Sequence, residues 1–149
     1  MKIMGLILCL FVAGCDNFPR DPEGTSDRIA ESGEIRVGMA PLRDARDRAG
    51  ARRLLEHMSH ESGARLAIRA DAAERMLHDL EEGRLDLVIA PFHAKTPWAS
   101  MVALSPPIVI HGRTSKGTQL RAAMRSGENR WIMRIEKAAR AVAEPGAAS

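Results

Sequence analysis

Tyrosine is absent from the sequence, and only three phenylalanines and two tryptophans occur in 149 residues. Carbohydrate and aromatic-ligand sites lean on stacked rings, so such a site has little to draw on here. Cysteine is scarce too: Cys9 and Cys15 are the two, and no thiol follows Cys15. That excludes a disulfide, a cysteine nucleophile or a thiolate metal site in everything downstream. No apolar run is long enough to span a bilayer comfortably. A Gly-rich phosphate loop, a dinucleotide fingerprint, a zinc-ligand cluster and a Gly-x-Ser-x-Gly elbow are all missing. His57-Met58-Ser59-His60-Glu61 spaces its histidines by three, whereas a zinc-protease helix sets them four apart around a glutamate, so a solvated face is the simpler reading. Glu81 and Glu82 are adjacent at a helix end, where exposed carboxylates are ordinary. The reading is therefore of a protein that is not an enzyme, with no catalytic residue, cofactor or metal.

What is present begins with an export signal. Lys2 precedes an apolar stretch, Ile3 to Ala13, and Val12-Ala13-Gly14-Cys15 follows. The stretch has the layout of a signal peptide. Small residues before a cysteine resemble the lipobox of bacterial lipoproteins, which implies cleavage after residue 14 and a lipid on Cys15. An ordinary signal peptide with a chance cysteine is the alternative. Residues 15–32, with Pro19, Pro22, Gly24 and many polar side chains, read as a tether holding a body off the membrane, ending at most in one helical turn. Residues 33–143 form the body, and 144–149 an Ala/Gly-rich disordered tail.

Charge is unevenly spread. Residues 113–140 hold eight basic and two acidic side chains, whereas 15–112 hold 13 basic and 16 acidic. A basic end suits nucleic acid or an anionic membrane surface. Export argues against nucleic acid, leaving the membrane surface or simply a solvated helix face.

Along the body, periodicity alternates between strand and helix. Ile35 to Ala40 reads as a strand stopped by Pro41. Residues 43–62 read as a helix with Ala51, Leu54, Leu55 and Met58 on one stripe, weakened in its first half by Gly50. Ala64 to Arg69 is a second strand. Asp71 and Glu74 match a capping box for a helix that buries Ala73, Met76, Leu77 and Leu80 and ends at Gly83; His78 falls on its surface. Leu85 to Ala90 is a short apolar run suited to a central strand buried on both faces. Met101 to Leu104 and Pro107 to His111 read as extended. Residues 119–124 are ambiguous between strand and helix and lean to a strand, and a last helix begins near Gly127-Glu128-Asn129 with Trp131, Ile132, Ile135, Ala138, Ala139 and Val142 on its apolar side. Strand, helix, strand, helix, strand is a βαβαβ unit of a three-layer α/β fold. Loops at the carboxyl ends of such strands form the ligand crevice, which points to the loop from Pro91 to Trp98 as a rim.

Several segments resemble extracellular solute-binding proteins of family 3, which serve ABC transporters and typically bind amino acids and related polar solutes. They are Gly33-Glu34-Ile35-Arg36-Val37-Gly38, Leu77 to Ile89, Thr96-Pro97-Trp98-Ala99 and Val102-Ala103-Leu104-Ser105-Pro106-Pro107. The lipobox, the segment Phe18 to Thr25 and Gly127-Glu128-Asn129-Arg130-Trp131 resemble a short lipoprotein branch of that family. The resemblance implies a periplasmic-binding-protein-like α/β/α lobe with a mostly parallel sheet, anchored at the periplasmic face of a bacterial membrane. The family has two lobes; this chain has material for one. The family's carboxylate-gripping arginine falls near Trp98, and the loop after the first strand passes directly through Pro41-Leu42-Arg43-Asp44 into the helix.

Two functions follow from that resemblance. One is a lipid-anchored solute-binding-like protein of an ABC transport system, with a permease as partner, binding a small polar solute such as an amino acid weakly if at all. Arg43, Phe92, His93, Thr96, Trp98 and Ser105 are its candidate contacts. Trp98 would stack a ligand or else cover the sheet edge; His93 would meet a ligand or simply face solvent. The other is a degenerate single-lobe accessory lipoprotein that binds a protein partner or the membrane surface.

Overall fold

A computed structural model describes residues 19–112 and 117–145. The signal segment, Cys15 with its proposed lipid, and residues 146–149 lie outside the described residues.

Six strands form one sheet: β1 (Glu34–Met39), β2 (Arg65–Ala70), β3 (Leu87–His93), β4 (Val102–Leu104), β5 (Val109–Ile110) and β6 (Thr118–Arg125). Their order is β2-β1-β3-β6-β4, with β5 also on β6. β1 pairs in parallel with β2 and β3, while β6 is antiparallel to β3, β4 and β5. Five strands thus point one way and β6 alone opposes them, so the sheet is mostly parallel, as expected. Helices α1 (Thr25–Ser32), α2 (Ala45–Ser62), α3 (Ala73–Glu81) and α4 (Asn129–Val142) flank it.

The core lies on both faces of the sheet. Leu54 and Met58 of α2 and Trp131 and Ile135 of α4 pack on Ile35, Val37, Leu87, Ile89 and Leu120. Met76, Leu77 and Leu80 of α3 cover Val88, Ala90 and Phe92 from the other side. Alternate residues of β3 feed the two faces, which is why its sequence is continuously apolar from Leu87 to Ala90. The strand runs on through Pro91, past the expected end at Ala90. Ala40 N–H donates to Ile89 O, so Ile89 and Pro91 both turn their backbone polar groups towards β1. β1 has ended at Met39, and the missing proline N–H breaks no ladder bond.

Four expectations need correction. Gly50 does not break α2. It lies where the helix rests on the sheet, and a Cβ there would come within 2.8 Å of Val109 Cγ2 and 3.2 Å of Leu120 Cδ2. The glycine buys close helix–sheet packing at the expense of helix propensity. Asp71 and Glu74 form no capping box; the helix begins one residue later, at N-cap Ala72, and the Asp71 carboxylate pairs with Arg75 instead. The tether reading does not hold from Asp21 onwards. Asp21 accepts hydrogen bonds from Ser26 N–H and, at 3.0 Å, from Trp131 N–H, and Ile29 of α1 is core. Glu144, expected in a disordered tail, is tied down: its N–H donates to Ile108 O at 3.0 Å, and its carboxylate pairs with Arg46.

Candidate ligand crevice

The chain leaves β1 for α2 on one face of the sheet and returns through α3 on the other. The two crossovers diverge between β1 and β3, where an open α/β sheet leaves a crevice at its carboxyl end. A cavity of about 370 Å³ sits there, lined by Pro41, Arg43, Asp44, Asp47, Pro91, His111 and Thr118. Each residue arrives by the fold's own logic. Pro41 ends β1, Pro91 overhangs it on β3, and Thr118 opens β6, whose antiparallel direction brings its start to this end of the sheet.

The polar groups have defined partners. Asp44 is the N-cap of α2, accepting from Arg46 N–H at 2.7 Å. That hydrogen bond, more than any other influence, holds its carboxyl below the usual carboxylate range. Asp47, in the first turn of α2 and buried, accepts from His111 Nε2 at 2.8 Å. The Arg43 carbonyl is taken by Arg48, and Arg43 is exposed and lines the same cavity as the two aspartates. The site thus brings two acidic residues, an arginine and an imidazole to the lining of one small space.

The six candidate contacts separate on this frame. Arg43 lines the crevice. His93 is exposed at the end of β3, opposite Thr118. Phe92 is buried in the core under α3. Thr96 caps a short 3₁₀ turn, Pro97–Ser100. Trp98 packs partly buried on the same core as Phe92, its ring edge-on to His78 at 5.7 Å. Ser105 is wholly buried, with Oγ donating to Pro106 O at 2.8 Å and accepting from Ala122 N–H at 3.0 Å. Within the loop Pro91–Trp98, Phe92 and Trp98 are spent on packing, while Pro91, His93, Lys95 and Pro97 are exposed. Asp44, Asp47 and His111 were missed; Asp44 was legible as an N-cap, but the Asp47–His111 pairing spans 64 residues and has no sequence signal.

Arg121 of β6 is half-buried, and burial lowers its pKa. It donates to Gln119 Oε1 at 2.8 Å and to Ser105 O at 3.0 Å, both neutral acceptors. Among the described residues, no group of three or more His, Cys, Asp or Glu side chains is placed to hold a metal ion, and no helix is long and apolar enough to cross a membrane.

The fold is a periplasmic-binding-protein-like α/β/α lobe, and comparison with solved structures agrees. The chain is similar to the arginine-bound form of domain 1 from TmArgBP, with TM-score 0.64 and 20% identity over 77% of this chain and 98% of that one. The Phe57Trp mutant of the same arginine-bound domain gives 0.65 and 20%, covering 78% and 96%. An ancestral cationic amino acid solute-binding protein gives 0.53 and 12%, covering 80% and 100%. No protein-family model and no curated protein matches the chain.

Proposed function

We propose that this protein is a single-lobed solute-binding protein whose ligand is a small polar molecule bearing an ammonium group, an amino acid being the simplest case. The observation that carries the reading is the crevice at the β1/β3 divergence, with Asp44 and Asp47 facing the same space as Arg43. The carboxylates suit an ammonium, and Arg43 suits a ligand carboxylate through paired hydrogen bonds. Its volume falls near the lower end of small-molecule sites, about 300–1,000 Å³. A domain of similar fold and length in arginine-bound form supports the idea that one lobe suffices to hold such a ligand. One open lobe buries less of a ligand than two closing lobes, so the affinity is modest.

The chemistry of residues 1–15 supports export and lipid attachment at Cys15; a lobe so anchored would stand at the periplasmic face of a membrane, with an ABC permease as the natural recipient of its solute. Replacement of Cys15 by Ser should release the protein from the membrane fraction.

Calorimetry of the purified protein against arginine, other amino acids, polyamines and organic acids tests the ligand. Heat with amino acids or polyamines, reduced at least about tenfold in affinity by Asp47→Asn, is the expected result. Silence with every ligand would sink the reading.

A further inference from the structure

β2 is an edge strand, and among the described residues it pairs only with β1. Arg65 N–H donates to Gly33 O, so Arg65, Ala67 and Arg69 direct their backbone groups inwards to β1. Leu66, Ile68 and Ala70 therefore present N–H and C=O groups along the outer edge, a template for another strand. Beside this edge runs a groove of about 790 Å³ between β2 and α2, floored by Met39, Ala51, Leu55, Leu66 and Ile68. Ile68 is 52% exposed, unusual for a large aliphatic side chain on a strand. A hydrogen-bonding edge and an apolar floor lie together.

Charge selects the occupant. Side chains alternate along β2, so Leu66 and Ile68 face the groove while Arg65 and Arg69 stand on the α3 side, where Arg69 pairs with Asp79. Arg65 pairs with Glu34 yet stays 74% exposed, and Arg69 stays 50% exposed. Arg48 and Arg52 of α2 border the groove, with Glu56 as the acidic residue at the rim. A second copy of this chain is a poor fit. Two-fold antiparallel pairing of β2 with itself brings Arg65 of one copy beside Arg69 of the other, directly opposite when centred on Ala67 and diagonally when centred on Ile68.

We propose that the outer edge of β2 and its groove bind an extended segment of a partner protein whose side chains alternate apolar and acidic. The partner's backbone would continue the sheet, its apolar side chains filling the groove and its carboxylates meeting Arg65 and Arg69. This surface lies on a different strand from the ligand crevice and can be tested with the crevice empty.

The probes are a short peptide alternating valine with glutamate and a counterpart alternating valine with lysine, titrated into the isotope-labelled full chain. The acidic peptide should bind at least about tenfold more tightly than the basic one and slow amide exchange at Leu66 and Ile68. Ile68→Pro removes one outward N–H while leaving the inward ladder whole, and should abolish that protection with the helical signal unchanged. Arg65→Glu with Arg69→Glu should invert the preference between the peptides. Equal affinity for both, or resonance shifts confined to other strands, would overturn the proposal. So would protection of Leu66 and Ile68 that rises with protein concentration alone, which would make a second copy the occupant.

Discussion

Asp86 shows how a buried charge is kept in this fold. Its carboxylate is 1% exposed, yet it accepts from Arg36 N–H at 2.8 Å and pairs with the guanidiniums of Arg28 and Arg36. Its carbonyl takes the buried indole N–H of Trp131 at 2.7 Å. One residue before β3 thereby ties α1, β1 and α4 together. Gly50 is the other decisive single position. Alanine is the better helix former by about 1 kcal/mol. The Cβ would nevertheless press on Val109 and Leu120, and Gly50→Ala should cost about 1–3 kcal/mol net, read as a lower urea midpoint at unchanged slope. Acid response also belongs to this scale. Hydrogen bonds from Arg75 and Ala72 hold the Asp71 carboxyl down to about 2, from an ordinary 3.8. Because the native value is depressed, its contribution is complete above about pH 4 and disappears as pH falls towards 2. Asp79 and Glu144 are lowered as well, first by Arg84 and by Arg46 respectively. The melting temperature should therefore fall between pH 4 and 2. Asp71→Asn should make that fall shallower; an identical slope in the variant would refute the assignment.

Among the elements, α1 and α4 secure each other end to end. Gly24 gives α1 no side-chain cap, but Glu128, buried just before α4, accepts from Glu23 N–H at 2.8 Å and Thr25 N–H at 2.9 Å. Asp21, just before α1, in turn accepts from Trp131 N–H in the first turn of α4. Each helix start is thus met by a carboxylate from beside the other, satisfying free N–H groups and matching the positive end of the helix dipole. Glu128→Gln keeps the shape and one acceptor oxygen but loses the charge and the second acceptor. It should destabilise the protein by about 1–3 kcal/mol and speed amide exchange in residues 23–32 ahead of the rest. Uniform acceleration across the chain would mean that α1 is not an independently released element.

For the whole molecule, the proposed ligand crevice and the proposed docking edge occupy different parts of one small lobe. The crevice carries charged side chains and lies where the crossovers diverge; the β2 groove is apolar and open along a sheet edge. Ligand in the crevice should raise the melting temperature by mass action. At a free concentration of 100 times Kd the gain is about 2.7 kcal/mol, a shift of several degrees for a domain of this size. Arg43→Ala should reduce that shift without lowering the melting temperature of the free protein, since its side chain is exposed; a fully retained shift would remove Arg43 from the site.

The sequence by itself determined the layers. Leu87 to Ala90, continuously apolar, had to be buried on both faces, and the helix stripes at Leu54–Met58 and Met76–Leu80 had to cover it, because local periodicity dictates which side of an element escapes water. The stretch 119–124, ambiguous between strand and helix but leaning to a strand, lies within β6. What only the tertiary structure decided were contacts between distant parts of the chain. Phe92 and Ser105, plausible as ligand contacts in a loop, turned inwards because β3 runs on past Pro91 and β6 closes over Ser105. Asp47 met His111 across 64 residues, and Glu128 reached back 103 residues to cap Thr25. Spacing along a chain carries no record of such meetings; they exist only once the sheet brings both partners to the same end. From Asp21 onwards, the stretch expected to tether the body is part of it, since Pro and Gly mark where a chain turns and not whether the turn packs.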